Sequence, residues 1–73
     1  MIKIDEKLLN QSINRIEISD NATEILNRNK ITTLEDLCNK TKTDLKKLEI
    51  NQGEINKMDI ELQLLGLKLK NSL

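Results

Sequence analysis

Hydrophobic positions along this chain fall in short clusters parted by polar stretches, and within each cluster the spacing is that of one face of a helix. In "DNATEILNRN", Ala22, Ile25 and Leu26 form the apolar stripe of a first helix. Ser19 precedes it as an N-cap, and Asp20 places a carboxylate in the first turn, where the helix dipole is positive. "KITTLEDLCNK" opens a second helix. Thr32 and Thr33 are each followed three residues later by an acid, Glu35 or Asp36, which is the capping-box spacing, and Leu34, Leu37 and Cys38 are its apolar positions. Thr41 and Asp44 repeat the device before Leu45 and Leu48 and start a third helix. The fourth and longest begins after Asn51, has Glu54 three residues on, and lines up Ile55, Met58, Leu62 and Leu65. Gly66 is placed to end it in the left-handed conformation, so that Leu67 and Leu69 can fold back on the core.

Ahead of these helices, residues 1–18 show a mixed pattern: "IDEKLL" fits a short turn of helix, and Ile13, Ile16 and Ile18 are spaced to pack onto the rest. No strand alternation, low-complexity stretch or linker interrupts the chain. The expected architecture is all-α: a single domain over residues 1–73, with an N-terminal arm (1–18) on a compact bundle of four short helices (19–73).

Composition narrows the function more than it narrows the fold. In 73 residues, 12 basic and 12 acidic side chains cancel, so no global field draws the chain to nucleic acid or to anionic membrane; any such binding must come from a local patch. There is no His to serve as a base near neutrality, and a chain this short leaves little room for an internal cleft, so no enzyme activity and no small-molecule substrate are expected. One Cys, Cys38, makes neither an internal disulfide nor, without His, a zinc site; it reads as a small core side chain. With only Gly53 and Gly66 there is no phosphate loop, and no metal or other cofactor is expected. The absence of Phe, Tyr and Trp removes base stacking, and with it sequence-specific binding of single-stranded RNA. The apolar runs are too short for a membrane span, and no basic leader with an apolar core opens the sequence, so a cytoplasmic location is expected.

One stretch keeps a binding chemistry open. "LEINQGEI" has the form of a helix-hairpin-helix turn, in which a buried hydrophobic residue lies between residues that are small or left-handed, and the free N–H groups of the following helix face a phosphate. Ile50 fits as the buried residue, and Asn51 is expected to take the left-handed conformation that glycine usually supplies. The plainer alternative makes Asn51 and Glu54 an ordinary capping pair. Similarly, Lys40, Lys42, Lys46 and Lys47 can be read as a solvated helix face.

Taken together, "IDEKLLNQSINRIEIS", "NATEILNRNKITTLEDLCNKT" and "LGLKL" resemble the C-terminal domain of the bacterial RNA polymerase alpha subunit, in order and at nearly the same spacing over almost the whole chain. The matched positions are Asp5, Leu8, Leu9, Ile16, Ile18 and Ser19 in the arm, Ile31, Thr33, Leu34, Asp36, Leu37, Lys40 and Thr41 in the middle, then Leu45, Ile55, Gly66, Leu67 and Leu69. Many are core or cap positions, so the resemblance speaks for the fold more than for the activity. It implies a module that binds duplex DNA in the minor groove and touches RNA polymerase sigma factor and activators. The family's DNA contacts align with Asn21 and Glu24 at the start of the first helix, and with Asn51, Gly53 and Glu54 in the hairpin. All five side chains differ here. An Arg and a Lys are missing from that face and two acids are added, which weakens attraction to phosphate. Asn51, Gln52 and Asn56 can still hydrogen-bond a backbone or a base edge, and Lys46, Lys47 and Lys57 are close in sequence.

The candidate DNA residues are therefore Asn21, Lys47, Asn51, Gln52, Gly53, Asn56 and Lys57. DNA binding is expected to be weak or absent. The candidate protein contacts are Arg15 and Glu17, where the family meets sigma factor, and Lys42, where it meets activators. Arg15 and Lys42 reverse the family's usual charge; Glu17 keeps it. Running from Met1 to Leu73, the sequence reads as a freestanding copy of such a domain or as a piece of a longer chain. Two functions stay open: a transcription module docking weakly on DNA or on a transcription-associated protein, and a protein-interaction domain that has lost DNA binding.

Overall fold

A computed structural model of the chain describes residues 6–70. It contains five α-helices and one 3-10 turn: α1 Glu6–Leu9, the 3-10 turn Ile13–Arg15, α2 Asp20–Arg28, α3 Leu34–Cys38, α4 Lys42–Lys47 and α5 Gln52–Leu64. The four helices expected from their caps are α2 to α5, and the short turn expected at "IDEKLL" is α1. Asp5 lies outside the described residues. Among the described residues there is no strand, only one isolated antiparallel bridge between Ser12 and Thr33. That bridge ties the arm to the α2–α3 loop: the Ile13 N–H donates to the Thr32 carbonyl at 3.0 Å and the Leu34 N–H to the Gln11 carbonyl at 2.9 Å. Ile13 and Ile16 are buried in the same core as the helices, so this part of the arm is a wall of the domain.

The N-cap residues act as their types dictate. Ser19, Thr33, Thr41 and Asn51 are all in extended conformation, and each side chain accepts a backbone N–H from the first turn that follows. At α3 and α4 the box closes, with Asp36 and Asp44 reaching back to the backbone of their N-caps. Those N–H groups favour the charged form of each acid. The Thr32 and Thr33 N–H groups hold the Asp36 carboxyl below its ordinary value, and the Thr41 N–H does so for Asp44.

The helix ends follow a single pattern that recurs three times. After α2, the Lys30 N–H donates to Asn27 and the Ile31 N–H to Leu26; after α4, Glu49 donates to Lys46 and Ile50 to Leu45; after α5, Gly66 donates to Gln63 and Leu67 to Leu62. This is the Schellman closure, and in each case a left-handed residue (Lys30 φ 62°, Glu49 φ 68°, Gly66 φ 79°) turns the next apolar residue inward. Ile31, Ile50 and Leu67 are buried as a result, as are the helix residues Leu26, Leu45 and Leu62 that accept their bonds.

The core is aliphatic throughout. Leu26, Leu34, Leu37, Leu45, Ile55, Met58 and Leu62 are fully excluded from solvent, and no charged or polar residue is buried among the described residues. Leu67 and Leu69 close it from beyond α5, and a bond from the Lys70 N–H to the Lys40 carbonyl (3.1 Å) pins that tail to the end of α3. Cys38 is half-buried at the core's edge, where burial pushes its thiol above its ordinary value. The radius of gyration, 11.4 Å, is what a close-packed chain of this length has, roughly 11 Å.

Candidate nucleic-acid and docking interface

The α4–α5 turn begins where α4 runs out of helix. Leu48 is the last half-helical residue, Glu49 takes the left-handed conformation and Ile50 drops into the core. Asn51 then lies in extended conformation (φ −70°, ψ 159°), and its Oδ1 accepts the Glu54 N–H at 2.9 Å. The sequence pattern placed the left-handed residue at Asn51; the structure places it at Glu49. The reason is geometric. A Schellman closure needs its left-handed residue just past the C-cap of α4, whereas an N-cap has to be extended for its side chain to reach the first turn of α5.

Glu54 also departs from the simple capping pair. Its carboxylate does not return to Asn51 but reaches across to α2, where Oε1 accepts the Ser19 N–H at 3.1 Å. Ser19 is the N-cap of α2, and its own hydroxyl accepts the Ala22 N–H at 3.1 Å. One carboxylate thus stands at the N-terminal ends of both α2 and α5, the places where donors and helix dipoles attract an anion. The Ser19 hydroxyl, and then its N–H, hold the Glu54 carboxyl below the ordinary glutamate value. Two turns further along α5, Glu61 repeats the contact, its Oε1 accepting the Glu17 N–H at 3.0 Å. Segment 17–19 is strapped along α5 by two carboxylates seven residues apart. The signal was present in the sequence as that spacing, which puts both acids on one side of a helix, but nothing there said which backbone they would meet.

All seven candidate DNA residues are exposed. Asn21 lies in the first turn of α2 beside Asp20. Gln52 Nε2 donates to Asn56 Oδ1 at 2.9 Å, and the cap occupies Asn51 Oδ1. At Gly53, a Cβ would meet Asn51 Oδ1 at 3.4 Å, an ordinary contact, so that helix position has room for a side chain. The two cations do not stand free of acids: Lys57 lies within electrostatic reach of Glu54 and Lys47 of Asp44. Glu24, which aligns with a DNA-contacting position, pairs with Arg28 one turn on.

The candidate protein contacts are exposed as well. Arg15 ends the 3-10 turn, and Glu17 follows it on the strapped segment. Lys42 is engaged within the fold, its Nζ lying 3.5 Å from Asp59 Oδ2 in an α4–α5 ion pair. The structure does not bring Lys42 together with Arg15 and Glu17 by any contact. Two large apolar side chains on α5 that composition could not single out, Ile60 (57% exposed) and Leu64 (75%), face solvent one turn apart.

Among the described residues, no group of three or more His, Cys, Asp or Glu side chains is placed to hold a metal ion, and no helix is long and apolar enough to cross a membrane. No model of a known protein family matches this chain, and no match is found among curated proteins.

Proposed function

We propose that the chain is a helix-hairpin-helix module, similar to the RNA polymerase alpha C-terminal domain, that acts in transcription or its regulation by docking on a transcription-associated protein, with its DNA-binding face closed and with no catalytic role. The observation that supports this reading is Glu54. A phosphate at a helix start is held by free N–H groups and the positive end of the dipole. Here the N–H of Ser19 is already bonded to Glu54 Oε1, and the N–H of Glu54 to Asn51. A carboxylate that fills such a place supplies internally the negative charge that DNA would bring, and it repels a second anion. Asp20, in the first turn of α2, adds to the negative side of that balance.

The second reading keeps a weak duplex site at Asn21, Asn51, Gln52 and Asn56, with Lys47 and Lys57 as the cations. Their common exposure favours it. Fluorescence anisotropy of labelled A/T-rich and G/C-rich duplexes, titrated with the protein at low and at moderate salt, separates the two. No saturable rise even at low salt supports the docking module. A rise that saturates and fades with salt, as release of counterions from phosphate requires, supports the duplex site.

A further inference from the structure

Two adjoining shallow grooves lie on the part of the surface built by the end of α2, the end of α3 and α4. One, of about 320 Å³, is lined by Asn29, Ile31, Lys40, Asp44, Lys47 and Leu48. Its neighbour, of about 310 Å³, shares Asn29, Ile31 and Lys40 and adds Lys30, Asp36 and Asn39. The floor of the first groove is apolar: Leu48 is half-buried against the core, beside Ile31, the residue that the left-handed Lys30 turns inward. The rim is cationic. Lys30, Lys40 and Lys47 take part in neither of the close ion pairs Arg28–Glu24 and Lys42–Asp59, while Lys40 and Lys47 lie within electrostatic reach of Asp44. The two acids of the lining, Asp36 and Asp44, are committed to the capping boxes of α3 and α4, where backbone N–H groups and the helix dipoles offset their charge.

We infer that this groove is a docking surface for an acidic protein segment: aspartates or glutamates seated on Lys30, Lys40 and Lys47, and one aliphatic side chain set against Ile31 and Leu48. Charge complementarity identifies the occupant. Three lysines around an apolar floor, outnumbering the two acids of the lining, match a chain that alternates acid with an apolar anchor, the pattern by which a protein surface gains both on-rate and register. A nucleic-acid strand fits the site less well. It has no aliphatic group for the floor, and there is no aromatic ring for its bases. This inference rests on the reading of the chain as a protein-docking module, and supplies the chemistry of its partner.

The test is a titration of the isotope-labelled protein, followed by amide chemical shifts, with a short blocked peptide carrying a central leucine flanked by aspartates and glutamates. Its amide isostere, with asparagine and glutamine, is the control. The expected result is shifts on Lys30, Ile31, Lys40, Lys47 and Leu48 that fade with salt. Affinity should fall roughly tenfold for the isostere, and by about as much for the Lys40→Gln/Lys47→Gln double variant, a mild change chosen to leave the fold intact. An acidic peptide that shifts nothing, shifts residues elsewhere, or binds no better than its isostere overturns the inference, while the docking reading stands if duplex DNA also fails to bind. A duplex that shifts these same residues more strongly than the peptide overturns the inference in favour of a nucleic-acid groove. A duplex that shifts Asn21 and Asn51 to Glu54 instead overturns the docking reading on which it rests.

Discussion

Three helix ends close in the same way, but only one has the residue that the closure favours. Gly66 takes its positive φ freely; Lys30 and Glu49 take it with a Cβ that crowds the following carbonyl. For an L-residue that conformation costs about 1–2 kcal/mol, and glycine gives back about 0.5–1 kcal/mol of it through the larger entropy of its unfolded chain. Glycine at either position therefore stabilises the fold by up to about 1.5 kcal/mol. The neighbouring charge then ranks the two. Glu49 puts a carboxylate at the negative end of the α4 dipole, so Glu49→Gly also removes a repulsion; Lys30 puts a cation at the same end of α2, so Lys30→Gly gives up an attraction of about 0.3 kcal/mol or more. The expected order is Glu49→Gly clearly above the wild type and Lys30→Gly slightly above it. Gly66→Ala is expected to lose about 1 kcal/mol without any clash, because a Cβ built there meets nothing within 4 Å. In a domain of this size 1 kcal/mol moves Tm by about 4–8 °C. Urea melts followed by circular dichroism at the helix band measure this; the chain has no Trp, Tyr or Phe to report by fluorescence. If Glu49→Gly were no more stable than the wild type while its amide spectrum was otherwise unchanged, the strain argument would be wrong.

Other expectations follow from the carboxylates and the thiol. Asp36, Asp44 and Glu54 each have a lowered native pKa. The stability they contribute is complete above the ordinary values of 3.8 for Asp and 4.5 for Glu, and is lost as pH falls through the lowered native ones. An acid melt should show that loss, and Asp36→Asn should flatten it; an unchanged acid limb in the variant contradicts the assignment. Glu61→Ala frees the Glu17 N–H, so hydrogen exchange at that amide should quicken while the Leu26 and Leu45 amides keep their protection; uniform quickening would mean that the strap is part of the global fold. Cys38 has its thiol raised by burial, so alkylation near neutral pH should be slower than in the urea-unfolded chain. Equal rates would place the thiol in solvent.

The sequence announced the helices because each is bracketed by local signals. Ser19, Thr33, Thr41 and Asn51 are caps whose partners are three residues away, and Gly66 is an end whose geometry is its own. The left-handed turns at Lys30 and Glu49 were not legible, since neither residue type favours that conformation and only the packing of Ile31 and Ile50 imposes it. The arm was legible as Ile13 and Ile16 seeking the core, but its bridge to Thr33 joins residues far apart in sequence. Glu54 shows the limit most plainly. Local spacing makes it a capping partner for Asn51, and a tertiary contact with Ser19, thirty-five residues away, takes its carboxylate instead. The candidate residues were thus named by position alone, while the charges and bonds around them required the fold.

The central claim, that Glu54 closes the face where two helix starts would hold a phosphate, is tested most directly by following amide shifts while the wild type and Glu54→Ser are each titrated with an A/T-rich duplex at low salt. The account predicts no saturable shifts in the wild type, and salt-sensitive shifts on Asn21, Asn51 to Gly53 and Lys57 once the carboxylate is gone. Strong shifts on those residues in the wild type, unchanged by the substitution, would contradict it.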